Sequence, residues 1–92
     1  MRNFEFKDTG LSEEALGMVV SEDVAQREKW GEQIHDAHVW NTILGEEVGE
    51  LARAILTDNI VGIEKEATQA ATVALKIAYM ARKAREEYES RI

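Results

Sequence analysis

Trp40-Asn41-Thr42-Ile43-Leu44-Gly45-Glu46-Glu47-Val48-Gly49-Glu50-Leu51-Ala52-Arg53-Ala54-Ile55-Leu56 is the stretch on which the fold turns. Its apolar residues return with a helical period. At about 100° per residue, Trp40, Ile43, Leu44, Val48, Leu51, Ala54 and Ile55 share one face. Glu47 falls inside that arc, and Glu46 and Glu50 lie at or just beyond its edge. A carboxylate on a buried stripe is costly unless something pairs with it. Glu66, further along, sits at the margin of a second apolar face and offers a partner acid. Acids from two helices converging on one buried spot predict a divalent cation.

Outside this segment the chain is predicted to be helical throughout. Its 92 residues contain no proline, few turn signals and no alternating stretch long enough to demand a sheet. The expected organisation is a single domain, 1–92, with an N-terminal arm and short helix over 1–20 and a helical core over 21–92. Met1 to Gly10 reads as an extended arm, and Leu11 to Val20 as a short helix capped by Ser12. Ser21 is expected to cap a second helix, with Glu22 and Asp23 in its first turn, where acids suit the helix dipole. That helix should run to Trp30 and break near Gly31. Residues 31–36 then form a connection or an irregular turn, and the central helix runs from Asp36 to Thr57. Asp58, Asn59 and Gly62 read as the turn between antiparallel helices, and the last helix begins near Ile63. Its row of Ala67, Ala70, Ala71, Ala74, Ala78 and Ala81 predicts a seam of close helix packing, within the bundle or between subunits.

A core of this size is marginal for a chain standing alone, so the wide apolar faces predict an antiparallel helical bundle completed by homo-oligomerisation. The absence of cysteine excludes disulfide, zinc-knuckle and thiol chemistry and fits a reducing cytoplasm. No apolar run approaches the length of a membrane span, and the first residues do not read as a signal peptide. Eighteen acids against eleven Lys and Arg, a net charge of −7, argue against a nucleic-acid binder. A phosphate-bearing small molecule remains compatible if metal ions reverse the local sign. The late basic residues Lys76, Arg82, Lys83, Arg85 and Arg91 read mainly as a solvated, salt-bridged helix end.

Glu46-Glu47-Val48-Gly49-Glu50 followed by Glu66 on the next helix resembles the MazG-like nucleoside triphosphate pyrophosphohydrolases, whose pattern is E-E-x-x-E and then E-x-x-D. Arg27-Glu28-Lys29-Trp30-Gly31-Glu32-Gln33-Ile34-His35 is similar to the segment that precedes the metal helix in short, often phage-borne members. The resemblance covers roughly residues 24–84. It implies an all-α NTP pyrophosphatase fold, a dimer or dimer of dimers, and hydrolysis of a (d)NTP to (d)NMP and pyrophosphate with Mg²⁺, or Mn²⁺ in its place. Nucleotide-pool house-cleaning in the cytoplasm is the role it suggests. One position departs from the pattern: Gln69 stands where the family has aspartate, offering an amide oxygen with less charge.

The resemblance further implies roles. Glu47, Glu50 and Glu66 would be metal ligands, with Gln69 a fourth, and Glu46 or Glu47 would orient or deprotonate the attacking water. Many relatives hold the triphosphate with a basic C-terminal segment; here that task would fall to Lys76, Arg82, Lys83 or a neighbouring subunit. A base could stack on Trp30 or Trp40, with His35, His38, Asn41 and Gln33 near its edge. Core packing is the equal alternative for each tryptophan; His35 and His38, three apart, could bind metal if both lie on a helix, with a solvated or capping role the favoured alternative. Two further functional readings stand beside the enzyme: a catalytically weak nucleotide- or metal-binding relative, and a plain helical dimerisation module whose acids are surface decoration.

Overall fold

The computed structural model describes residues 10–91. They form three helices: α1 (Glu13–Trp30), α2 (Ala37–Leu56) and α3 (Ile60–Ser90). No strand occurs among the described residues. The predicted arm over residues 1–9 lies outside the described residues, and the predicted short helix is the first half of α1. Ser12 caps α1, its hydroxyl accepting from Ala15 N at 3.1 Å, with Glu13 and Glu14 in the first turn. The helix does not stop at Ser21. Extending a helix adds one hydrogen bond per residue fixed, whereas restarting one repeats a costly nucleation. Nothing between Val20 and Ser21 breaks the backbone, so Ser21 lies within α1 and Glu22 and Asp23 on its second half rather than in a first turn.

Gly31 ends α1 as expected. It adopts φ 74°, a left-handed conformation that glycine reaches without steric cost, and its N–H donates to Arg27 O at 2.8 Å. Asp36 caps α2 by accepting from Val39 N at 3.0 Å. At the far end Asn59 N donates to Ala54 O at 3.0 Å, closing a short turn through Asp58 at φ 53°. Asn59 then caps α3, accepting from Gly62 N at 3.0 Å. Gly62 therefore belongs to the first turn of α3, not to the connection. A Cβ there would lie 2.6 Å from Asn59 Nδ2, so the absence of a side chain lets the cap close.

The turn folds α2 back along α3, and α1 packs against the other side of α3. At about 1.5 Å per residue, the 31 residues of α3 span about 46 Å, and it is the spine on which both shorter helices lie. The core sits between α2 and α3: Trp40, Ala54, Ile63, Ala70 and Val73 are buried, together with Thr72, whose hydroxyl donates to Thr68 O at 2.8 Å. Ile43, Leu44 and Leu51 are half-buried, whereas Val48 and Ile55, expected on the same face, are exposed. α1 buries no residue fully, and every residue from Ala78 to Arg91 is exposed.

Candidate metal centre

Antiparallel packing with a short turn sets the register of α2 against α3. The register that brings Glu50 to Glu66 also brings Glu47 to Gln69 and Trp40 to Lys76. Glu47 and Glu50, three apart on α2, project from neighbouring turns. With Glu66 of α3 they place one carboxylate oxygen each within 4.8 Å of the others. Glu47 and Glu66 are half-buried and Glu50 is exposed, so the triad lines the rim of the α2–α3 interface.

Three carboxylates so close resist ionising together. Two unit charges about 4 Å apart repel by about 4 kcal/mol at an effective dielectric of 20. Burial pushes the Glu47 carboxyl up to about 7, helped by the charges of Glu50 and Glu66, a hydrogen bond with Glu66 and the charge of Glu22. Burial also raises Glu66, together with its hydrogen bond to Glu50 and the Glu50 charge. A site of this kind is settled by protons, by amide donors or by a cation.

Gln69 supplies the amide. With Nε2 turned toward the acids, it donates to Glu66 Oε2 and to Glu47 Oε2, both at 3.0 Å; the opposite orientation would face its oxygen to acceptors. Gln69 is thus inside the site, but as a donor bridging two carboxylates. Serving as an oxygen ligand would require its amide to rotate. Glu46 is exposed and stands outside the triad.

Sequence reasoning missed the contribution of α1. Glu22 adds to the field on Glu47 from the third helix. Its carboxylate accepts from Gln26 Nε2 at 2.9 Å, and Gln26 Oε1 accepts from Lys76 Nζ at 2.9 Å. Lys76 also pairs with Asp23 at 3.1 Å, and Asp23 with Arg27 at 3.1 Å. The spacing of Glu22, Asp23, Gln26 and Arg27 was a usable signal, a polar face at helical period, but it does not say which helix that face meets.

The proposed nucleotide contacts separate. Lys76 is half-buried and lines a pocket of about 130 Å³ with Asp23, Gln26, Gln33 and Trp40. Lys83 pairs with Glu86 at 3.6 Å and lies 5.4 Å from the Tyr79 ring centroid. Seventeen residues beyond Glu66, it is about 25 Å along the helix, so within one chain neither it nor Arg82 reaches the triad. Trp40 is 4% exposed and meets His35 edge-on, with ring centroids 5.1 Å apart. Its packing is that of a core residue, with Nε1 buried and without a hydrogen-bond partner. Trp30 is the reverse, 61% exposed at the end of α1, with the Lys29 ammonium 4.9 Å from its ring centroid. Asn41 and His38 are exposed on the first turns of α2, and His35 lies in the 31–36 connection, so the two histidines do not share a helix.

Compared with known proteins, the chain matches no family model, no curated protein and no solved structure. No helix among the described residues is long and apolar enough to cross a membrane.

Proposed function

We propose that this chain is a Mg²⁺-dependent nucleoside triphosphate pyrophosphohydrolase of the MazG-like type, with Mn²⁺ able to replace Mg²⁺. The observation that carries the reading is the convergence of Glu47, Glu50 and Glu66 from two helices. The donor set fits the ion: hard oxygen ligands from carboxylates, at a partly open rim that leaves room for water and phosphate oxygens. Burial, with the charges of Glu50 and Glu66 beside it, raises the Glu47 carboxyl, and a bound cation would favour its ionised form. Glu47, Glu50 and Glu66 would hold the metal, and Gln69 would join them once its amide turns. When bound, the ion neutralises phosphate oxygens and acidifies a water.

The remaining work falls to the chain. Water attacks the α-phosphorus of a (d)NTP in line, the bond from that phosphorus to the bridging oxygen breaks, and pyrophosphate leaves with the bond's electrons. Glu46, solvent-facing beside the triad, is the acceptor for the water's proton. Lys76 is the nearest of the proposed phosphate contacts on α3, held in place by Asp23 and Gln26. House-cleaning of nucleotide pools in the cytoplasm is the role consistent with this chemistry.

The functional unit we propose is a homo-oligomer, a dimer or a dimer of dimers. The large apolar side chains left exposed on α1 and α3, among them Leu16, Val20, Val24, Leu75 and Tyr79, support that reading.

Gln69 favours one second reading, a binder of metal or nucleotide with slow turnover, because a neutral amide donor occupies the fourth position. Pyrophosphate release from a panel of canonical and modified (d)NTPs, with and without Mg²⁺, separates the two. Release that requires Mg²⁺ and is lost in Glu50→Gln supports the enzyme. Binding without release from any nucleotide leaves the slow binder, and a chain that neither releases pyrophosphate nor gains thermal stability from Mg²⁺ or Mn²⁺ is a helical module alone.

A further inference from the structure

Two polar side-chain atoms among the described residues are buried without a hydrogen-bond partner, Trp40 Nε1 and Asp23 Oδ1. Both residues line the pocket of about 130 Å³ beside Lys76. Native proteins leave few such atoms, since an unpaired buried group forfeits its hydration. Lys76 does not satisfy Asp23: its Nζ donates to Gln26 Oε1 at 2.9 Å and meets Asp23 Oδ1 at 3.1 Å as a charge, outside hydrogen-bond geometry. Arg27 pairs with the other oxygen of Asp23 at 3.1 Å, which fixes the carboxylate. The pocket therefore offers one buried donor and one buried acceptor. We infer that it reads the edge of a pyrimidine base: Trp40 Nε1–H donates to a ring carbonyl or ring nitrogen, and Asp23 Oδ1 accepts from a neighbouring N–H. The inference rests on the nucleotide-hydrolase reading above and names its substrate class, (d)NTPs with a single-ring base.

Size, charge and position select that ligand. A cavity of about 150 Å³ holds one benzene ring, so this pocket takes a single six-membered ring and not a fused pair. Its charged walls are Asp23 and Glu32 against Arg27 and Lys76, two of each sign. That balance suits a neutral polar base better than a phosphate. Trp40 precedes Glu47 by seven residues and Lys76 follows Gln69 by seven, about 10 Å along either helix. The pocket thus stands about two turns from the triad, leaving room for a sugar between the base and phosphates at the acids. A purine's sugar bond lies one ring further from its hydrogen-bonding edge. Over the same fixed separation it would push its phosphates past the triad. Trp40 acts here by the edge of its ring. At 4% exposure its faces are closed to stacking.

Nuclear magnetic resonance on the full ¹⁵N-labelled chain tests the assignment. The sequence has two tryptophans, hence two indole N–H signals, and Trp30→Phe identifies the one from Trp40. Titration with dCMP, dUMP or dTMP should move the Trp40 signal downfield, as a new hydrogen bond does. Their dissociation constants should lie roughly 10-fold or more below those of dAMP and dGMP, the scale on which a pocket rejects a ligand by size. Mg²⁺-dependent pyrophosphate release should show the same order, with kcat/KM roughly 10-fold or more higher for pyrimidine than for purine dNTPs. Trp40→Phe keeps an aromatic ring and loses the N–H, so it should erase both preferences. Where that variant does not fold, the wild-type measurements decide. Equal kcat/KM for the two base classes, a preference for purines, or a Trp40 signal that no pyrimidine nucleotide moves overturns the inference and leaves the hydrolase standing. A chain that neither binds nor hydrolyses any nucleotide removes both.

Discussion

The α2–α3 hairpin and the pair formed by α1 with α3 are built from the same kinds of residue but solve different problems. The hairpin closes on itself. A short turn sets its register, every fully buried residue among the described ones lies in it, and that register brings Glu47, Glu50, Glu66 and Gln69 together. The other pair stays open, with alanines and large aliphatic side chains facing outward and all of α3 beyond Ile77 exposed. The difference teaches that the chemistry is encoded locally, in one turn and its register, while much of the stability is left to surfaces that this chain does not cover by itself.

The largest effect should fall on the hairpin's chemistry. Glu50→Gln removes one of three charges from the triad while adding no bulk at an exposed position. Mg²⁺-dependent pyrophosphate release is expected to fall more than about 100-fold, since even changing a group that only hydrogen-bonds to a metal ligand costs about 10–100-fold. Glu28→Gln, the same change on the exposed face of α1, should leave release within about twofold. Steady-state assays of both variants measure the contrast, and equal losses would erase the distinction between the two regions.

The tryptophans carry the comparison into stability. Trp40 fills the hairpin core, so Trp40→Ala should cost about 3–5 kcal/mol. Trp30 sits exposed at the end of α1, and Trp30→Ala should stay within about 0.5 kcal/mol. Urea unfolding of the two variants at one protein concentration gives both values. A large loss from Trp30→Ala would mean that the end of α1 is covered in the assembly.

How far these features could be read from sequence follows the same divide. The period of Trp40–Leu56, the cap at Ser12, the helix start near Asp36, the stop at Gly31 and the acids on an apolar margin were all legible, because each is set by neighbours within a turn or two. Ser21 misled because a serine before two acids is a good cap by local rules, and only the continuity of α1 overrides them. Glu22 and Gln26 went unread for another reason: the link from Gln26 to Lys76 spans fifty residues, beyond any local rule. Gln69 was singled out by the resemblance, as a fourth oxygen ligand; the structure sets it beside Glu47 and Glu66, and its donor role there depends on which carboxylates face it. Val48 and Ile55 fit the apolar period yet lie exposed, since a period names a face and not what covers it.

Glu47 provides the next test. Its carboxyl titrates near 7 in the folded chain against an ordinary 4.5. Between those values the unfolded chain gives up its proton first, so stability should fall as pH rises from about 4.5 through about 7 and then level off. Thermal melts from pH 4.5 to 8 without metal should show that decline, and Glu47→Gln should flatten it. Saturating Mg²⁺ should reverse the trend, because the ion binds the ionised form and adds stability by mass action. A wild-type profile as flat as that of Glu47→Gln would mean that the triad is solvated too well to store repulsion.

The smallest effect concerns the glycines of the hairpin. Gly49 lies within α2 between Val48 and Glu50, and a Cβ built there meets nothing within 4 Å. Replacing it with alanine should stabilise the helix by about 0.5–1 kcal/mol, since glycine loses more conformational freedom on folding. Gly62 has the same helical preference to gain, but its Cβ would strike the Asn59 side chain at 2.6 Å. Gly62→Ala therefore trades that gain against a cap worth about 1 kcal/mol and should come out near zero. Paired urea titrations resolve the two. If Gly49→Ala destabilises instead, a partner must pack closely over that turn of α2. The hairpin would then be part of the subunit interface, and the site would be shared between chains.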